Sequence, residues 1–137
     1  MDTGKQKKIK VLRIIGRLNI GGPAIHTILL TDGINKNRFE TVLVSGVASE
    51  HEGDMLYLAK EKNVSPVIIQ ELGRSLNIRN DIIAFFKILR LINKEKPDII
   101  HTHTAKAGTL GRLAGIFYRF FSGNKCILIH TFHGHIP

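Results

Sequence analysis

The 137 residues predict an α/β fold, a Rossmann-like parallel sheet with helices on both faces. Three observations carry that expectation. Short β-branched apolar runs alternate with helical stretches of about ten residues or more, which implies parallel pairing through right-handed crossovers. The runs are apolar nearly throughout, as strands are when helices cover both sides of a sheet. Glycine and proline punctuate the switches from one kind of segment to the other. The expected strand order is 3-2-1-4-5. It puts a ligand-binding switch point at the C-terminal strand ends, between the first and fourth strands.

The elements follow in order. Ile9 to Ile15 (IKVLRII) is the first strand. Gly16 to Gly22 (GRLNIGG) breaks it, and Pro23 stands where a helix favours proline, at its first position. Ile25, Ile28, Leu29 and Asp32 recur at helical spacing up to about Lys36. Phe39 to Ser45 is the second strand, Gly46 to Gly53 a polar loop, and Asp54 to Lys62 a short helix. Pro66 to Leu72 (PVIIQEL) is the third strand. Asn80 or Asp81 caps a helix that runs to about Glu95, where Pro97 stops it. Asp98 to Thr102 is the fourth strand. Ala105 to Phe121 is a helix closed by Ser122-Gly123 in the manner of a C-cap, and Lys125 to Thr131 is the fifth strand.

On that last helix, Leu110, Leu113, Ala114, Phe117 and Phe121 form an apolar stripe expected to face the core. Arg112, Tyr118 and Arg119 fall off the stripe. They read as a solvated face or as a basic-aromatic one able to touch anionic lipid.

Length and composition place limits on function. The length suits one domain with a real core, here residues 9–137 behind a basic tail, residues 1–8. One cysteine, Cys126, excludes a disulfide framework and a four-cysteine metal site. It lies in an apolar strand and reads as inert, and a lone thiol fits a reducing, cytoplasmic compartment. Twenty Lys and Arg against eleven Asp and Glu give a formal charge of +9, which draws polyanions: nucleic acid, anionic lipid or phosphorylated ligands. The most apolar stretch, Ile82 to Ile92, is interrupted by Lys87 and Arg90 and is about half the length a bilayer helix needs. No apolar segment follows the charged N-terminus, so a signal peptide is not expected.

Two constellations carry chemistry. The turn Gly16-Arg17-Leu18-Asn19-Ile20-Gly21-Gly22 joins a strand to a helix N-terminus, where N–H groups and the helix dipole favour an anion. It lacks the Lys-Ser/Thr of a nucleotide-hydrolysing phosphate loop, and Gly22-Pro23 stands there instead. The second strand ends in Ser45-Gly46, with no carboxylate to hold the ribose of a dinucleotide. Histidines gather at two strand ends: His101 and His103, then His130, His133 and His135. His-x-His sets both imidazoles on one side of an extended chain, a spacing open to metal ligation, loop hydrogen bonding or contact with sugar and phosphate oxygens. No carboxylate or thiol accompanies them at those strand ends, which weighs against zinc. Lys106 opens the fourth helix at the same rim and reads as an anion contact or a plain surface lysine.

Three motifs taken together resemble the N-terminal domain of family-four glycosyltransferases, retaining enzymes of GT-B fold. They are Asn19-Ile20-Gly21-Gly22-Pro23, Asp98-Ile99-Ile100-His101-Thr102-His103-Thr104-Ala105-Lys106-Ala107-Gly108, and His130-Thr131-Phe132-His133-Gly134-His135. The resemblance covers roughly residues 9 to 137. It implies an acceptor-side half whose donor-binding half is missing, so that this chain alone is inactive. It also implies roles for residues. Gly21 and Gly22 match the loop that approaches the donor diphosphate, and His133 matches the histidine near the reaction centre. His103 and Lys106 match the loop facing the acceptor. The implied partners are a nucleotide sugar as co-substrate and a saccharide or lipid-linked acceptor. The implied place is the cytoplasm, with peripheral contact at the inner face of an anionic membrane. No metal or other cofactor and no nucleic acid are implied. Two alternatives rest on the residues alone. One is a stand-alone module for phosphorylated or nucleic-acid ligands, and the other is a metal hydrolase built on the histidine pairs.

Overall fold

The computed structural model describes residues 7–48, 53–73 and 77–133. The elements are β1 (Ile9–Ile15), α1 (Gly22–Gly33), β2 (Phe39–Ser45), α2 (Leu56–Glu61), β3 (Val67–Ile68), α3 (Ile78–Glu95), β4 (Ile99–His103), α4 (Ala105–Ser122) and β5 (Ile127–Thr131). One turn of 3-10 helix, Gln70–Leu72, follows β3. The strands form a single sheet in the order β3-β2-β1-β4-β5, parallel at every pairing. This is the expected order. Most of the basic tail, residues 1–6, lies outside the described residues, as do Gly134 and His135.

Side chains alternate across each strand, which divides the core in two. Leu12, Ile14, Val44 and Ile100 face Ala84, Ile88 and Ile92 of α3 and Ala107, Ala114 and Tyr118 of α4. Ile15 and Leu43 face the opposite way, onto Leu18, Ala24 and Ile28 and onto Met55 and Ala59. Arg13 of β1 points to this second side and is almost fully buried. Its Nη1 donates to Thr31 Oγ1 at 2.9 Å, and burial pulls the guanidinium down to about 10.

Several elements differ from expectation, each for a physical reason. Helix α3 begins at Ile78, because the Asn77 side chain accepts from the N–H groups of Arg79 and Asn80 and supplies the cap. Asp81, inside the first turn, pairs instead with Lys106. The third strand is two residues long, since the chain turns inward after Ile68 to bury Ile69 and Leu72. On α1 the buried face is Ala24, Thr27, Ile28 and Thr31, while Ile25 and Leu29 are exposed. The threonines tolerate burial because their hydroxyls donate to the Pro23 and Thr27 carbonyls within the helix.

The largest correction concerns α4. Its buried face is Ala107, Gly108, Gly111, Ala114, Gly115 and Tyr118. Of the expected stripe only Ala114 is fully buried, and Leu113, Phe117 and Phe121 are exposed. A Cβ on Gly111 would lie 2.6 Å from Thr102 Cγ2, and one on Gly115 2.6 Å from Leu128 Cδ2. Small residues let the helix sit directly on the sheet, which turns the large side chains outward. Tyr118, expected on the outer face, is buried, and its Oη accepts from Asn124 Nδ2.

The strand-end turns are locked to one another. Gly46 N–H donates to the Gly16 carbonyl at 3.0 Å. A Cβ on Gly46 would stand 2.3 Å from that oxygen and 2.7 Å from Gly73 N, so backbone occupies its place on two sides. The turn after β1 is tied again where Met55 N–H donates to the Leu18 carbonyl at 2.7 Å. The rim that these turns form is therefore fixed by backbone contacts.

Candidate functional site

The C-terminal ends of β1, β4 and β5 meet at one rim. Gly16 N–H, just past β1, donates to Thr104 Oγ1 at 3.1 Å. Thr104 links β4 to α4 with φ 72° and ψ 160°, a region that a β-branched residue rarely enters. Nearby, Gly21 is the N-cap of α1 and Pro23 lies in its first turn, with no side chain capping the helix. A Cβ on Gly22 would meet nothing within 4 Å, and one on Gly21 only Pro23 Cδ at 3.9 Å. Packing inside the chain does not demand glycine at either position. Both leave backbone N–H groups open to approach at a helix N-terminus. A cavity of about 350 Å³ opens alongside, bordered by Pro23, Thr104, Phe132 and His133.

Strand parity sorts the histidines between the two sides of the sheet. His101 and His103 share the α1 side with Thr131, and His133 joins them just past β5. His101 Nε2 and Thr131 Oγ1 are 2.6 Å apart, and His103 Nδ1 and His133 Nε2 are 2.9 Å apart. His26 of α1 closes the group from above, with ring centroids 5.4 Å from His133 and 6.1 Å from His103. His130 points the other way. Its Nδ1 lies 2.8 Å from Thr102 Oγ1, and its ring fills the space over Gly108.

Electrostatics holds the inner imidazoles neutral. Burial, reinforced by Arg13 and the neighbouring rings, lowers His101 to about 4. Burial, followed by His101 and His133, lowers His103 to about 3. His133 is also lowered, first by burial and then by His26 and His130. The proton count fixes the sign of the linkage. The unfolded chain, with ordinary imidazoles near 6.5, binds more protons on acidification than the folded one. Stability held above about pH 6.5 is therefore lost as pH falls towards 4 and 3. We expect the melting temperature to drop already between pH 6.5 and 5, where few carboxylates titrate, and the drop to be smaller in His101→Gln. A flat profile over that interval, or an unchanged slope in the variant, would contradict this charge arrangement.

The structure thus brings together Gly21, Gly22 and His133 at the rim, and it places the two expected acceptor residues behind it. His103 is fully buried beneath His133. Its Nε2 has no hydrogen-bond partner among the described residues. Lys106 Nζ pairs with Asp81 at 2.8 Å and donates to the Gly73 and Glu71 carbonyls at 2.9 and 3.2 Å. It clamps the start of α4 to the segment before α3. Phe132, which alternation would turn inward, is 81% exposed, with its edge on the His130 ring at 4.6 Å. Cys126 is buried, and burial raises its thiol to about 11.

Sequence reasoning missed His26, Arg13 and Thr131. Arg13 carried a signal, a charged residue inside an apolar strand at the same parity as His101 and His103. Among the described residues, no group of three or more His, Cys, Asp or Glu is arranged to hold a metal ion. The neutral, mutually bonded imidazoles can offer hydrogen bonds to a ligand's hydroxyl or phosphate oxygens.

With this geometry established, four similarities are informative. A family model described as Glycosyltransferase Family 4 matches residues 20–137. The UDP-Gal:alpha-D-GlcNAc-diphosphoundecaprenol alpha-1,3-galactosyltransferase of Escherichia coli is 34% identical over 74 residues, 54% of this chain and 18% of that one. Among solved structures, a protein described as a UDP-N-acetylglucosamine 2-epimerase from Listeria monocytogenes superposes with a TM-score of 0.68 at 22% identity, over 92% of this chain and 32% of that one. Acinetobacter baumannii MurG superposes with a TM-score of 0.61 at 14% identity, over 94% and 36%. The chain therefore spans about a third or less of each, and at these identities the two structures speak for the fold alone.

Proposed function

The chain belongs to glycosyltransferase family 4 and carries the N-terminal, Rossmann-like part of a GT-B fold. From that premise we propose that it is the acceptor-side half of an enzyme moving a sugar from a nucleotide-sugar donor to a saccharide or lipid-linked acceptor in polysaccharide or glycolipid assembly. The observation that carries the reading is His133: partly exposed at the rim, bordering one cavity with Pro23 of the first turn of α1, and hydrogen bonded to the buried His103. The galactosyltransferase relative, whose name gives a UDP-sugar donor and a diphospholipid acceptor, supports the substrate classes.

The proposed course retains anomeric configuration and enlists no metal or other cofactor. The bond from the anomeric carbon to the diphosphate oxygen breaks, and its electron pair leaves on the nucleoside diphosphate. The acceptor hydroxyl bonds that carbon from the same face, and its proton passes to the leaving diphosphate. Gly21 and Gly22 accept the diphosphate at the N-terminus of α1. The protein contributes position and electrostatics to an oxocarbenium-like transition state.

The tautomers follow from burial. If His103 carried its proton on Nε2, an N–H donor would be buried with no partner, a costly arrangement. With the proton on Nδ1, His103 donates to His133 Nε2, and His133 keeps its own proton on Nδ1. That N–H is then free to donate to a sugar hydroxyl. His103 acts through His133, and Lys106 acts by fixing the start of α4, so neither needs to touch the acceptor. The enzyme works at the cytoplasmic face of a membrane, where its lipid-linked acceptor resides.

A complementation assay tests this reading. Residues 1–137 incubated with UDP-hexoses and a lipid diphosphate acceptor should give no glycosylated product. Adding the donor-binding half as a second polypeptide should give product together with UDP. Sustained transfer by residues 1–137 alone would overturn the division of labour. UDP-sugar turnover with no glycosylated acceptor in the complemented enzyme would overturn the transferase reading.

A further inference from the structure

Helices α3 and α4 pack side by side on one face of the sheet. Their inner faces are closed by Ala84, Ile88 and Ile92 and by the small residues of α4. Their outer faces are apolar too. Ile82 and Phe86 on α3, and Leu113, Ile116, Phe117 and Phe120 on α4, are all exposed, Phe86 to 60% and Phe120 to 80%. A run of aromatic rings joins the two helices. Phe86 meets Phe85 at 5.3 Å, Phe85 meets Phe117 at 5.5 Å, Phe117 meets Phe121 at 5.8 Å and Phe121 meets Phe120 at 5.1 Å. Scattered exposed apolar side chains are ordinary, whereas a contiguous band of this kind marks a contact surface.

The charges around the band identify its partner. Helix α4 contains no Asp or Glu in its eighteen residues. The two acids of α3 are committed elsewhere, Asp81 to Lys106 and Glu95 to Lys10, each at 2.8 Å. The exposed cations on these helices include Arg79, Arg90, Lys94, Arg112 and Arg119. An apolar band rimmed by cations, with the carboxylates turned away, complements acyl chains lying beneath anionic headgroups. Rings enter the hydrocarbon boundary while arginine stems reach up to the phosphates. A second copy of this chain would instead oppose cations with cations.

We propose that the outer face of α3 and α4 docks this protein on an anionic bilayer. Helix α4 starts beside Thr104 at the rim, so docking sets that rim at one end of the docked face, with His133 on the opposite, α1 side of the sheet. The docking stands by itself, and its use in presenting a lipid-linked acceptor rests on the transferase reading.

Co-sedimentation of the full chain with vesicles provides the test. The vesicles are phosphatidylcholine alone, or phosphatidylcholine with roughly a third phosphatidylglycerol. The expected result is binding to the anionic vesicles, weakened by salt and nearly absent on the neutral ones. Phe86→Ser with Phe120→Ser, and separately Arg90→Glu with Arg119→Glu, should each lower the bound-to-free ratio by about tenfold or more. Melting temperatures should stay close to wild type, because these side chains are exposed. Unchanged vesicle binding in both double variants would overturn the proposal. So would no binding by wild type, a self-association lost in the phenylalanine variant without vesicle binding, or a sharp fall in its melting temperature. Sugar transfer is not read in this assay, so its failure leaves the transferase reading untouched.

Discussion

His133→Ala lowers kcat by roughly 10²-fold or more in the complemented enzyme, the order seen when one preorganised donor is removed from a transition state. The ring stands past the end of β5, only partly buried, and its packing partners are other imidazoles. Little core is lost with it, so the melting temperature should change little. The imidazole is held neutral, and it contributes a directed hydrogen bond in place of a positive charge. A hydrogen bond that holds the sugar in the geometry from which the bond to the diphosphate breaks changes kcat more than KM when it is lost. Steady-state kinetics and thermal melts on the same preparation decide the matter. Near-normal turnover with a sharply lower melting point would make His133 a structural residue.

His103→Leu should lower kcat by about 10 to 10²-fold with KM nearly unchanged, the range expected when a reacting group loses its aim. His103 never reaches solvent, and leucine fills the same buried space without a polar atom. Stability should therefore hold or rise, because the unpartnered Nε2 disappears. What is lost is the donor to His133 Nε2, so the His133 ring can turn. His103→Asn restores an N–H donor near the original Nδ1 and should recover most of the turnover. If leucine and asparagine behave alike, the hydrogen bond at 2.9 Å has no part in catalysis.

The sheet was legible in the sequence because its strands are apolar on both faces and bounded by glycine and proline. Ile9–Ile15 was read to the residue, and the 3-2-1-4-5 order followed from the alternation. The outward face of α4 was not legible in the same way. Helical periodicity was scored on the largest apolar side chains, yet close packing against the sheet selects the smallest. The run of Ala107, Gly108, Gly111, Ala114, Gly115 and Tyr118 keeps helical spacing, and weighing small residues would have found it. The same holds for Ala24 and Thr27 on α1.

In the site, strand parity placed His101 and His103 on one side of the sheet, whereas the turn of His130 to the other side came only with the structure. Parity carries no information on depth, so the full burial of His103 beneath His133 was not legible. The clamp made by Lys106 was not legible because its partners, Asp81 and the carbonyls of Glu71 and Gly73, are remote in sequence. His26 was overlooked because a single histidine in a helix gives no periodic signal. It reaches the group only through the packing of α1 over β4.

The central claim is that sugar transfer depends on a coupled pair, with His133 acting on the substrate and His103 acting through it. A double-mutant cycle in kcat tests this most directly, using His133→Ala, His103→Leu and the two combined. Residues in direct contact show coupling, whereas independent ones multiply their effects. The pair predicts that the double variant turns over about as fast as His133→Ala alone, because His103 has nothing left to orient. A double variant slower by the product of the two single losses would contradict it.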